Sequence, residues 1–173
     1  MSNTLNEVNA SKKTTPQKVS SSQIDQKRKV KILVATMSGN ARDCANELAA
    51  ALAAGGREAE VLEIELYSAK KLLKEKGPVL ICTSTFGNGE PPDCAYGFWE
   101  VLQHPKFPNM PHLEYSVLAL GDSTYPKFCL FGKDLDDRLR RLGAKPIHPQ
   151  ISCDVDFEES FQVWMNGCLK ALL

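Results

Sequence analysis

At 173 residues with 43% apolar side chains, the chain has enough material for one globular domain with a proper core. Its formal net charge is zero, but the first 31 residues carry seven Lys/Arg against two acids, which leaves a net of −5 on the remainder and argues against nucleic acid as a partner. Six cysteines without C-x-x-C or zinc spacing, no signal peptide and no apolar run of about 18 residues imply a reducing, cytoplasmic setting away from any membrane.

Residues 1–29 are Ser, Thr, Lys, Asn and Gln with almost nothing apolar, and read as a disordered tail or linker. A basic arm or targeting peptide is the alternative, although arginine is scarce for a transit peptide. Residues 30–173 form the folded domain. Residues 30–34 read as a buried strand, and Ala41, Cys44, Ala45, Leu48, Ala49 and Leu52 as the apolar stripe of a helix ended by Gly55-Gly56. Residues 58–64 alternate as a second strand, and residues 67–76 suggest a short basic helix. Residues 79–83 are continuously apolar, as in a parallel strand covered on both faces. A helix with Ala95, Phe98, Trp99 and Leu102 on one face follows. After Pro105, Pro108 and Pro111 come a fourth strand at 115–120 and a helix bearing Phe131, Leu135, Leu139 and Leu142. A short fifth strand at 144–148, a loop at 151–156 and a last helix with Phe161, Trp164, Met165, Cys168 and Leu172 complete the chain. Strands alternating with helices predict an α/β domain, a five-stranded parallel sheet with right-handed crossovers and helices on both faces.

In such sheets a ligand sits beyond the carboxyl ends of the strands. Three loops share that edge. The first, at 36–41, offers two hydroxyls (Thr36, Ser38), a glycine (Gly39) and the amides of a helix start, which together suit an anion. The plain alternative is a strand-to-helix turn capped by Ser38 or Asn40. Neither G-x-G-x-x-G nor G-x-x-x-x-G-K-[ST] is present there, so neither a dinucleotide nor an NTPase loop is indicated. The second loop (84–90) and the third (121–129) each place an aromatic, Phe86 and Tyr125, among small polar residues. Neighbouring strands lie about 4.8 Å apart, so two such loops can place rings on opposite faces of one flat ligand. A phosphate site beside an aromatic clamp implies a planar heterocycle with a phosphate tail, flavin mononucleotide (FMN). Phe128, Phe131, Trp99 and Trp164 read first as core, Asp122 as a turn cap or a site residue, and Asp134, Asp136 and Asp137 as a solvated helix face.

These motifs, Thr36-Met37-Ser38-Gly39-Asn40-Ala41, Thr83-Ser84-Thr85-Phe86-Gly87-Asn88-Gly89-Glu90-Pro91-Pro92, Leu120-Gly121-Asp122-Ser123-Thr124-Tyr125 and Leu142-Gly143-Ala144, closely resemble the flavodoxin-like FMN domain of the diflavin reductases. That family includes sulfite reductase flavoprotein, cytochrome reductases and the reductase half of nitric oxide synthase. Residues 38–42 lean towards the first of these, and residues 86–89 and 125–129 towards the last. The resemblance covers residues 30–172 and implies the flavodoxin strand order 2-1-3-4-5. It implies that Thr36, Ser38 and the amides of Met37, Gly39, Asn40 and Ala41 hold the FMN phosphate, and that Phe86 and Tyr125 cover the ring. Backbone groups of Gly87, Asn88 and Gly89 would meet the reactive ring nitrogen, with Asp122 and Cys129 flanking the ring and Asp154 nearby. Ser84, Thr85, Leu120, Gly121 and Phe128 complete the expected cofactor shell.

The function so implied is one-electron transfer from an FAD/NADPH reductase domain or subunit to a haem or iron–sulfur acceptor, as part of an NADPH-dependent oxidoreductase. No side chain would then do acid–base work; the protein supplies binding and electrostatics. Two rivals stay open: a flavodoxin-like interaction module without redox activity, and an FMN enzyme reducing quinones directly.

Overall fold

The computed structural model describes residues 28–173, so the expected tail at 1–27 lies outside the described residues. The chain alternates strand and helix as β1 (Val30–Ala35), α1 (Asn40–Ala54), β2 (Ala59–Glu63), β3 (Val79–Ser84), α2 (Tyr96–Gln103), β4 (Glu114–Leu120), α3 (Leu130–Arg141), β5 (Lys145–Pro146), β6 (Ile151–Cys153) and α4 (Glu158–Leu172). All pairings in the sheet are parallel, in the order β2-β1-β3-β4-β5, with β6 also on β4. This is the flavodoxin order. No helix among the described residues is long and apolar enough to cross a membrane.

Period-two alternation along the central strands sorts the core into two layers. Leu33, Ala35, Ile81 and Val117 face Phe98, Leu102, Phe131 and Leu135, so α2 and α3 cover that side. Ile32, Val34, Leu80 and Leu118 face Leu48, Leu52, Trp164 and Met165, so α1 and α4 cover the other. Trp164 and Phe131 are core residues, and half-buried Trp99 meets Phe131 edge-on at 5.6 Å between ring centres.

Three details depart from the sequence reading. The basic helix expected over 67–76 is instead one 3₁₀ segment, Ala69–Lys74, preceded by a shorter one at Ile64–Leu66; the stretch between Ser68 and Gly77-Pro78 is too short to repay α-helix nucleation. The fifth strand is split. Lys145–Pro146 pairs with the start of β4 and Ile151–Cys153 with its end, so the region expected to be a loop after 150 begins as strand. Ile147 N–H still donates to Tyr115 O at 2.8 Å, and the ladder stops before Pro149, which has no N–H to donate. Asp136 is not simply solvated either: its carboxylate accepts from the Tyr115 hydroxyl at 2.8 Å and from Arg140 at 2.8 Å.

The register aligns the carboxyl ends. Ala35 stands beside Thr83, Thr83 beside Ala119, and Leu120 beside both Ser84 and Cys153. Loops leaving β1, β3 and β4 therefore start from one line. Helix α3 reaches that line by close approach: a Cβ on Gly132 would stand 2.3 Å from the Cβ of Ala119. Gly132→Ala should therefore destabilise the apo-domain by about 1–3 kcal/mol through overpacking, read as a lower urea midpoint at unchanged slope. A stability equal to wild type would show that α3 can shift without cost.

Candidate functional site

The first loop leaves β1 at Thr36. Gly39 takes φ +98°, a left-handed geometry that suits glycine, and stands as the N-cap of α1. Neither Ser38 nor Asn40 caps the helix, contrary to the plain alternative; no side chain does. The Thr36 hydroxyl oxygen accepts the Gly39 N–H at 3.0 Å, which leaves its own proton to donate. Among the described residues nothing accepts from the amides of Met37, Ser38, Asn40 or Ala41. Open N–H groups at the positive end of a fifteen-residue helix favour an anion.

The second loop is a tight turn closed on itself. Phe86 N–H donates to Glu90 O at 2.9 Å, and Gly89 N–H to Phe86 O at 3.1 Å. The Glu90 carboxylate accepts the Asn88 N–H at 2.6 Å. Gly87 and Gly89 both have positive φ, 49° and 98°. The amides of Asn88 and Gly89 are thus committed inside the turn. The carbonyls of Gly87 and Asn88 have no hydrogen-bond donor among the described residues, so this turn offers two acceptors beside the one open amide of Gly87.

The third loop is braced by two carboxylates. Asp122 accepts from Thr124 N–H at 2.9 Å and from its hydroxyl at 2.6 Å, so it caps a turn while also lining the cavity. Asp154 accepts the Ser123 N–H at 2.9 Å, the Ser123 hydroxyl, and the Val155 N–H at 2.8 Å. These bonds, the Ser123 hydroxyl first, hold its carboxyl below the usual range. The bracing is therefore present above the ordinary Asp pKa and is lost as pH falls through the depressed value. The α3 N-cap, Cys129, has φ 55°, and its thiol donates to Ala119 O at 3.2 Å. Burial pushes that thiol up to about 11, so it is a neutral wall.

The loops are tied to one another at the strand ends. Ser84 Oγ donates to Ala35 O at 3.5 Å, Thr85 N–H to Leu120 O at 3.1 Å, and Gly121 N–H to Cys153 O at 2.9 Å. Between them lies a cavity of about 430 Å³, within the range of about 300–1,000 Å³ usual for small-molecule sites. Its walls are Ser38, Asn40, Ser84, Thr85, Phe86, Gly87, Leu120, Gly121, Asp122, Tyr125, Phe128 and Cys129, with Lys127. Phe128, read first as core, is thus at the site. Thr36, Met37, Gly39, Ala41, Asn88 and Gly89 frame the loops without lining the cavity, and Asp154 does not reach it. Lys127 was missed by the sequence reading, although its place two residues after Tyr125 was a signal.

Phe86 and Tyr125 are 49% and 59% exposed, although apolar rings of this size are usually covered. Thr85 Oγ1, on the cavity wall, is buried without a hydrogen-bond partner, a state that a bound polar group relieves. Open amides at one end, two exposed rings and an orphaned hydroxyl define a site for a flat ring with an anionic tail on a doubly wound sheet.

Comparison with known proteins agrees. The flavodoxin family profile matches residues 32–164, and the chain belongs to the flavodoxin family. It is 39% identical over 145 residues to the sulfite reductase [NADPH] flavoprotein alpha-component of Bacillus subtilis (strain 168), covering 84% of this chain and 24% of that protein. The counterpart in Vibrio parahaemolyticus is 41% identical, over 82% of this chain and 22% of its own length. The chain thus spans about a quarter of the curated relatives it matches. Among solved structures, the Streptococcus pneumoniae TIGR4 flavodoxin superposes with TM-score 0.72 at 28% identity, over 83% of this chain and 97% of that one. A cysteine-to-serine mutant of flavodoxin from Pseudomonas aeruginosa gives 0.67 at 28%, over 83% and 98%. Membership of this family implies FMN as the cofactor, and the walls described above fit it.

Tyr125→Ala should weaken FMN binding roughly twofold to tenfold, the size of a stacking contribution of about 0.5–1.5 kcal/mol. Cys129→Ala should weaken it less. Flavin-fluorescence titration of both apo-variants measures this, and equal losses would count against the aromatic clamp.

Proposed function

We propose that this domain binds FMN at the three-loop cavity and carries single electrons from an FAD- and NADPH-binding reductase module to a haem or iron–sulfur protein. The observation that carries the reading is the pairing of exposed Phe86 and Tyr125 beside an uncapped helix start with open amides. The likeness to the flavoprotein component of NADPH sulfite reductases supports a reductase on one side and a haemoprotein on the other.

In this reading Thr36, Ser38 and the amides of Met37, Gly39, Asn40 and Ala41 hold the phosphate. Phe86 and Tyr125 cover the ring faces, and Thr85 satisfies its hydroxyl on the cofactor. Gly87 and Asn88 offer carbonyls to a ring N–H, and Asp122 and Cys129 close the ring edge. Bound FMN supplies one-electron redox chemistry; the chain's residues bind it, orient it and set the field around it. Asp154 braces the third loop through Ser123 instead of touching the cofactor. Free cysteines, five of them buried, suit a reducing, cytoplasmic compartment.

With NADPH alone the FMN-loaded domain should stay oxidised for many minutes, because its single phosphate-binding loop among the described residues is taken by FMN. Adding an FAD-bearing reductase should bleach the flavin, with a salt-dependent rate if acidic groups at the cofactor edge guide docking. Stopped-flow absorbance measures both. Prompt reduction by NADPH without a partner would overturn the carrier assignment in favour of a direct reductase.

A further inference from the structure

Lys127 lines the cavity and is the one cation among its described walls. It belongs to the third loop, yet its stem rests on the second: a Cβ on Gly89 would stand 2.9 Å from Lys127 Cδ and 3.1 Å from its Cβ. Gly89 is therefore glycine for two reasons, its left-handed φ and the lysine lying on it. Among the described residues no carboxylate pairs with the Lys127 ammonium. Neighbouring cations are committed elsewhere. Lys133 donates to Phe128 O at 2.8 Å and lies 5.1 Å from the centre of that ring, and Arg42 is paired with Glu63.

Carboxylates also stand around the cavity. Asp122 is on its wall, Glu90 is clamped to Asn88 N–H, and Asp154 stands behind Ser123. Together with the phosphate of a bound FMN, they oppose the arrival of an electron. An uncommitted ammonium on a stem seated against loop backbone acts the other way, and the seat limits how far the charge can wander.

We infer that Lys127 sets the reduction potential of the cofactor, its ammonium offsetting the negative charge that a bound flavin takes up. The inference rests on the FMN-carrier reading. One electron enters the flavin from a donor, the reductase module or dithionite in the test; no bond to the protein forms or breaks, and no proton moves through Lys127.

The test is equilibrium reductive titration of FMN-loaded wild type, Lys127→Gln, Lys127→Glu and Lys127→Arg with dithionite against a reference dye. The readout is the ratio of reduced to oxidised binding, so a general loss of affinity leaves it unmoved. Lys127→Gln should lower that ratio roughly fivefold, or about 40 mV at 59 mV per tenfold, the size suited to one solvent-exposed charge. Lys127→Glu should lower it further, Lys127→Arg should restore it, and the Gln shift should shrink with added salt. Equal potentials in wild type, Gln and Glu would overturn the inference, as would an Arg variant shifted as far as Gln, since the stem alone would then matter. If wild type takes up no FMN, it is the carrier reading that fails, a distinguishable result.

Discussion

The site depends on one constraint, the register that brings the carboxyl ends of β1, β3, β4 and β6 to a common line. Each strand end hands its loop a fixed starting point, and hydrogen bonds tie adjacent loops there: the Ser84 hydroxyl to Ala35 O, and the N–H groups of Thr85 and Gly121 to Leu120 O and Cys153 O. These bonds extend a ladder that both core layers protect. A slip by one residue would exchange the two faces of a strand and move Phe86 or Tyr125 away from the shared cavity. The loops are therefore precise because the sheet is.

Within that frame the three loops divide the work. The first leaves amides open by closing its own turn with a threonine hydroxyl and a left-handed glycine. The second uses up the amides of Phe86, Asn88, Gly89 and Glu90 and leaves the carbonyls of Gly87 and Asn88 free. The third is held rigid from below by Asp154 and from within by Asp122, so that Tyr125 is exposed without being loose. An anion at one end, a hydrogen-bond donor at the centre and a flat ring beside the two exposed aromatics would be accommodated together. Flavin mononucleotide has all three, and membership of the flavodoxin family agrees with it.

Much of this was legible in the residues. The mostly aliphatic strand at 30–34, the continuously apolar one at 79–83 and the stripe from Ala41 to Leu52 placed the sheet and first helix. Phe86 and Tyr125 stood out as aromatics among small polar residues. What was not legible depended on partners distant in the chain. Asp154 braces Ser123 across 31 residues, and Lys127 finds its seat on Gly89 only once the loops are side by side. The split fifth strand was hidden because a three-residue strand carries no periodicity, although Pro149 marked the break. The role of Asp136 under Tyr115 was masked by its charged neighbours on the helix.

The central claim is that the three loops form one FMN site. The most direct measurement is to release and identify the bound flavin from the purified domain, or to titrate the apo-domain with FMN and with FAD while following flavin fluorescence. The account predicts about one FMN per chain and saturable quenching by FMN. A preparation that takes up no flavin at any concentration, or that holds FAD instead, would contradict it.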